Sequence, residues 1–142
     1  MQNEKIFSDH SISNHHHLAL LIAAPLSGET AMHNDVADIY NALSLRGLSP
    51  EKILLLEGSL HRGLLLAFLH EVRKEIVSWD SGEVFFYYGG DGNYIIDASE
   101  ARAGMLLQAG TSNHAEDYVF WDEIFSTLDL PAKINLIVLP DC

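Results

Sequence analysis

Leu18-Ala19-Leu20-Leu21-Ile22-Ala23-Ala24 is an unbroken apolar run, ended by Pro25, Ser27 and Gly28. It is too short for an ordinary core helix, and a strand with one face in water would alternate apolar with polar side chains. The run therefore predicts a strand covered on both faces, as in a parallel sheet. Downstream, Asn34 or Asp35 is placed to cap a helix whose stripe is Val36, Ile39, Tyr40, Leu43 and Leu45, with Gly47 as its stop. Pro50 introduces Lys52-Ile53-Leu54-Leu55-Leu56, a second strand. After it, Ser59 is placed to cap a helix in which Leu64, Leu65, Phe68, Leu69, Val72, Ile76 and Val77 recur at helical spacing.

Asp80-Ser81-Gly82 then turns the chain into Glu83-Val84-Phe85-Phe86-Tyr87-Tyr88, a third strand, and Gly89-Gly90-Asp91-Gly92 reads as a glycine loop. Between Asn93 and Asp117 the pattern weakens. Tyr94-Ile95-Ile96 fits a short strand, and Ala101 to Gln108 fits a helical turn or an excursion. Tyr118 to Leu128 regains a helical pattern, and Lys133 to Leu139 is a fourth buried strand. Strands alternating with helices, without an internal repeat or a hairpin pattern, predict an α/β fold: a three-layer sandwich with a mostly parallel sheet and right-handed crossovers.

At 142 residues the chain is one domain's worth. Residues 1–17 read as a polar flexible leader and residues 18–142 as the folded domain. Eight Lys and Arg against twenty Asp and Glu give a net charge of −12, which repels phosphate backbones and anionic lipid, so neither nucleic acid nor membrane is an expected partner. No apolar stretch approaches the roughly 18 residues of a spanning helix, and none of signal-peptide length precedes His15, so a cytoplasmic location is expected. His15-His16-His17 has three readings: metal binding, a tag-like surface, or no role. In a flexible leader these side chains have no fixed geometry and no carboxylate to orient them, so no metal and no cofactor is expected.

In open α/β sheets ligands meet the loops beyond the carboxyl ends of the strands. Four segments qualify: 25–33, 58–61, 89–93 and Pro140-Asp141-Cys142. The only thiol, Cys142, thus falls at a strand's carboxyl end, where a nucleophile is presented, beside the acidic glycine segment that ends the strand before it. Other readings stand beside this one. Cys142 also suits a small hydrophobe at a strand end, and Gly89 to Gly92 a plain turn. Asp91 and Asp141 lack a third ligand of recognisable spacing for a divalent cation. No lysine follows the glycines, which removes a phosphate cradle. The Gly-Gly-Asp triplet is also similar to the hairpin of diguanylate cyclases, but no Glu-Phe continuation follows it.

On these residues the chain resembles a caspase-like domain, the fold shared by caspases, metacaspases, legumains and gingipains. The resemblance runs from about Leu18 to Cys142 and is carried by degenerate motifs. Asn34-Asp35-Val36 opens a helix, and Leu45 to Ile53 leads to strand two. Val84 to Gly92 resembles the family's strand ending in Ser-Gly-His-Gly, and Trp121-Asp122-Glu123-Ile124 with Ile134 to Cys142 resembles its helix and its strand ending in Asp-Ala-Cys. The resemblance implies a cysteine endopeptidase acting on peptide or protein, with Cys142 as nucleophile and an oxyanion hole from the backbone N–H groups of Gly92 and Cys142.

Two departures qualify it. Asp91 stands where the family has the catalytic histidine, and a carboxylate is a weak base for a thiol proton whose charge opposes thiolate formation. The family's pattern also continues beyond the cysteine, so the resemblance implies missing last strands, either in a fragment or supplied by a second chain that completes the sheet. His33 and His61, in loops at the same end, are the candidate substitute bases. The expectation is a degenerate or incomplete caspase-like peptidase domain. Its alternatives are a non-catalytic pseudopeptidase that binds partners, and an unrelated small-molecule-binding α/β domain.

Overall fold

A computed structural model describes residues 15–24, 30–97, 100–107 and 117–142, with 93–97 followed by backbone alone. The candidate leader up to residue 14 and Pro25 to Glu29 lie outside the described residues. The elements are β1 (His15–Ala24), α1 (Ala31–Leu45), a 3-10 turn (Pro50–Lys52), β2 (Ile53–Glu57), α2 (Arg62–Ile76) and β3 (Ser81–Asp97). They are followed by β4 (Glu100–Leu106), β5 (Tyr118–Phe120), α3 (Trp121–Leu128) and β6 (Ile134–Asp141). None of these helices is long and apolar enough to cross a membrane.

Among the described residues the fold is α/β with a mixed sheet and three α-helices. β2, β1, β3 and β6 lie side by side in that order and all run parallel. The sheet then changes character along β3. Its first half, Ser81 to Gly90, sits between β1 and β6, and its second half, Asp91 to Asp97, pairs antiparallel with β4, which pairs antiparallel with β5. The expected glycine loop is thus a continuous strand. Of Ala101 to Gln108, read as a helical turn or an excursion, the residues up to Leu106 are strand β4, and the chain does contain a hairpin-like antiparallel pair.

The physical reason lies in clearance between side chains. A Cβ on Gly89 would come 2.9 Å from the Tyr87 hydroxyl, and one on Gly90 would collide with the Tyr88 hydroxyl. Residues two apart share a face of a strand. Each tyrosine leans along β3 over the glycine two places on, so these glycines serve the strand by having no side chain. The backbone freedom for which glycine is usually chosen is used instead at Gly47 and Gly58, with φ of +94° and +97°, just after α1 and β2.

β1 is buried throughout Leu18 to Ala24 and divides the core in two. Leu18, Leu20 and Ile22 join Leu65, Leu69 and Ile76 of α2, Ile124 and Leu128 of α3, and Phe86 and Tyr88 of β3. Ala19, Leu21 and Ala23 join Val36 of α1 and Tyr87, with Ile39, Tyr40 and Leu43 packed against them. Leu45, expected in the α1 stripe, is exposed, as are Leu64 and Val77, expected in the α2 stripe. Helix starts also differ from expectation. α1 begins after Thr30 instead of at Asn34 or Asp35, α2 begins after His61 instead of near Ser59, and α3 is preceded by the short strand β5. At the other end, β1 already starts at His15, so His15 to His17 are strand residues inside the sheet and not leader.

Candidate functional site at the carboxyl ends of β3 and β6

The parallel register pairs Gly89 of β3 with Asp141 of β6, so Cys142 follows directly at the carboxyl edge. There it meets Gly92. A Cβ built on that glycine would lie 3.3 Å from the Cys142 Sγ and 3.7 Å from its Cβ. Cys142 is exposed and free. The pairing of Gly92 with the thiol is the feature that the sequence-derived site shares with the structure.

Asp91 is half-buried in β3 opposite Leu106 of β4. The period-two alternation of a strand sends its side chain to the face opposite the one on which Gly92 meets Cys142. A carboxylate at this position is both the wrong base for a thiol and on the wrong side of β3.

Two tyrosines that the sequence reading passed over line this edge, one on each face. The Tyr88 hydroxyl lies within donating distance of two carbonyl oxygens, Asp91 at 2.8 Å and Leu106 at 2.7 Å, tying β3 to β4 where the sheet changes character. Burial pushes its ionisation above the ordinary tyrosine range, and the neighbouring acidic groups of Cys142 and Asp91 push it further. On the other face the Tyr87 hydroxyl donates to Asp141 Oδ2 at 3.1 Å. Its ionisation is also raised, first by burial and then by Asp141 and Asp35. The signal was available in the sequence: Tyr-Tyr-Gly-Gly, read with period two, sets a glycine beside each ring.

Tyr87 and Asp141 form one wall of a cleft of about 400 Å³, completed by Asp35, Asp38 and Ile39 of α1 with Leu139 and Pro140 of β6. Three carboxylates and a phenol make it a place for a cationic group. A larger hollow of about 660 Å³ runs past Ile39, Leu43, Leu48, Phe85 and Ile137. It is lined mainly by apolar side chains, with His17, Arg46 and Glu83 among them. The smaller cleft lies on the Tyr87 face of the sheet, whereas Cys142 meets Gly92 on the Tyr88 face, so the cleft and the thiol share the carboxyl edge but stand on opposite sides of it.

The two candidate substitute bases are positioned differently. His33, on α1, sets its Nδ1 3.1 Å from Glu57 Oε1 at the end of β2. β2 and β6 are three strand spacings apart, about 14 Å, so an imidazole held at Glu57 does not reach Cys142. His61 stands at the start of α2, where its carbonyl accepts the Leu65 N–H at 3.0 Å. Next to it, Arg62 forms a two-pronged ion pair with Glu123 of α3, and Glu123 also accepts the Phe120 N–H at 3.0 Å. The guanidinium holds the Glu123 carboxyl below the usual carboxylate range. This clamp fastens α2 to α3, which makes it a structural pair. No protein-family model matches the chain, and no curated protein matches it either.

Proposed function

We propose that the chain is a caspase-like cysteine-peptidase domain, a mostly parallel three-layer sandwich in lineage, that keeps the thiol and the glycine of the oxyanion position but has lost the base. The observation that carries this reading is Gly92 lying against Cys142 at the carboxyl edge of adjacent strands. Attack on a peptide carbonyl needs a thiolate, and a nearby imidazole normally takes the thiol proton. Here the residue at the corresponding position is Asp91, and His33 is engaged by Glu57. Hydrolysis is therefore slow or absent, while a peptide crossing this carboxyl edge is still bound, from the thiol on the Tyr88 face to the acidic cleft on the Tyr87 face. The acidic wall of Asp35, Asp38 and Asp141 favours a basic side chain over an acidic one by charge.

The test uses peptide electrophiles directed at the thiol. A lysine-containing peptidyl chloromethyl ketone alkylates Cys142 saturably and at least about tenfold faster than the same warhead without a peptide, and a glutamate-containing one does not. Equal rates with and without the peptide would mean that no peptide groove serves the thiol, and would favour an unrelated small-molecule-binding α/β domain.

A second reading, an interaction domain that binds through its sheet, is favoured by β6. Among the described residues β6 pairs only with β3, and its Ile137 and Leu139 are 48% and 47% exposed. An unpaired strand edge with apolar side chains is a template for another chain. Ile137→Lys would then abolish a self-association or partner complex seen by sedimentation, without changing alkylation of Cys142.

A further inference from the structure

At the opposite ends of the same strands, the amino ends of β1 and β3, the register pairs His15 with Ser81 and His17 with Glu83. His15 and His17 are two apart and share one face of β1, with their rings edge to face at 4.8 Å. Glu83 Oε2 lies 3.5 Å from His17 Nδ1 and 4.0 Å from His15 Nε2, and one ligand atom from each of the three residues falls within 4.8 Å of the others. His15 Nδ1 is 3.2 Å from the Ser81 hydroxyl, a contact that fixes the ring and leaves Nε2 directed at the carboxylate. His16 points to the other face and stacks on Trp79 at 5.0 Å, so it takes no part.

From this arrangement we propose that His15, His17 and Glu83 form a binding site for one divalent transition-metal ion, with Zn²⁺ the best fit. Both objections raised by the sequence are met. The histidines have fixed geometry because they lie in a paired strand, and Glu83 supplies the carboxylate. Two imidazole nitrogens and one carboxylate oxygen are a zinc donor set. Zinc bonds of about 2.0–2.2 Å place tetrahedral donors about 3.3 Å apart, so the observed separations close with small side-chain rotations. The Ser81 hydroxyl plays the outer-shell part that orients a metal-binding imidazole. All three side chains are partly exposed, leaving the fourth position open to water, and the chain's charge of −12 draws cations to it. Hard cations, which prefer all-oxygen shells, fit poorly. A bound ion would bridge β1 to β3 at the end remote from Cys142, about 25 Å along the strands, so the proposal stands independently of the peptidase reading.

The experiment is a Zn²⁺ titration of the full chain in competition with a chromophoric zinc indicator, on a Cys142→Ser background that removes the thiol. Far-ultraviolet circular dichroism checks that each variant is folded without metal. One equivalent is expected to bind. His15→Ala, His17→Ala and Glu83→Gln should each weaken binding at least about tenfold, and Mg²⁺ or Ca²⁺ in hundredfold excess should not compete. His33→Ala, which breaks the other His–Glu pair, should change nothing. Co²⁺ in place of Zn²⁺ should give a visible d–d band that is lost in His17→Ala, a readout that altered folding alone would not mimic. Binding that survives the double change His15→Ala with His17→Ala, or that falls equally in His33→Ala, would overturn the site, as would no binding below millimolar Zn²⁺.

Discussion

Gly92 and Cys142 face each other across the carboxyl edge of β3 and β6, close enough that a Cβ on the glycine would sit 3.7 Å from the Cβ of the cysteine. That separation lies within the range that disulfides span, about 3.5–4.5 Å, and near its mean of about 3.8 Å. Gly92→Cys should therefore form a disulfide with Cys142 on mild oxidation, without rearrangement of the backbone. Non-reducing peptide mapping would show the 92–142 link in most of the protein. Free thiols under the same oxidant would mean that the two strand ends do not meet.

The tyrosine and glycine pairs of β3 make a stability prediction. Gly90→Ala places a methyl against the Tyr88 hydroxyl, and Gly104→Ala places one against the Val119 carbonyl of β5. Each should cost about 1–3 kcal/mol in urea unfolding, the usual range for overpacking. Tyr88→Phe should cost about 1–3 kcal/mol, because the Asp91 and Leu106 carbonyls lose the one hydroxyl proton they share. Gly63→Ala, in open space on α2, is the control and should be neutral or stabilising.

Alkaline stability follows from the same phenols. Tyr87 and Tyr88 are raised above the ordinary value, so the folded state holds protons that the unfolded chain releases. Their contribution is complete below about pH 10 and is lost as pH rises beyond it. Tyr88→Phe should flatten the alkaline limb of a stability-versus-pH curve. An unchanged limb would show that Tyr88 is not held away from water.

The acid limb belongs partly to Glu123. Its carboxyl is lowered, chiefly by Arg62, so its contribution is present above the unfolded value of about 4.3 and is lost as pH falls through the lower folded one. Glu123→Gln should lower stability at pH 7 by about 1 kcal/mol for a pair about a quarter exposed and make the acid limb shallower. Equal acid limbs would place the α2–α3 clamp elsewhere.

Much of this architecture was legible in the residues. The buried run of Leu18 to Ala24, the stripe of Leu65, Leu69, Val72 and Ile76, and the turn at Gly47 all carry short-range signals that tertiary packing respected. The antiparallel half of the sheet was not legible, because Gly89, Gly90 and Gly92 look like turn residues when their neighbours are unknown. Their actual reason, the reach of Tyr87 and Tyr88 over them, is visible only when residues two apart are read as a pair. Similarly, three histidines in a row looked like a tail until β3 supplied Glu83 opposite His17. At the candidate site, the nearness of Gly92 to Cys142 agrees with the order of the motifs, while the face on which Asp91 stands depends on β3 continuing as a strand.

The most direct test of the central claim is cleavage of a mixed peptide library by the unmodified chain, followed by mass spectrometry beside Cys142→Ala. A thiol without a base predicts no cleavage above the Cys142→Ala background, even while Cys142 is alkylated by peptide electrophiles. Cleavage that disappears in Cys142→Ala would contradict the account, and would direct the search for the missing base to His61.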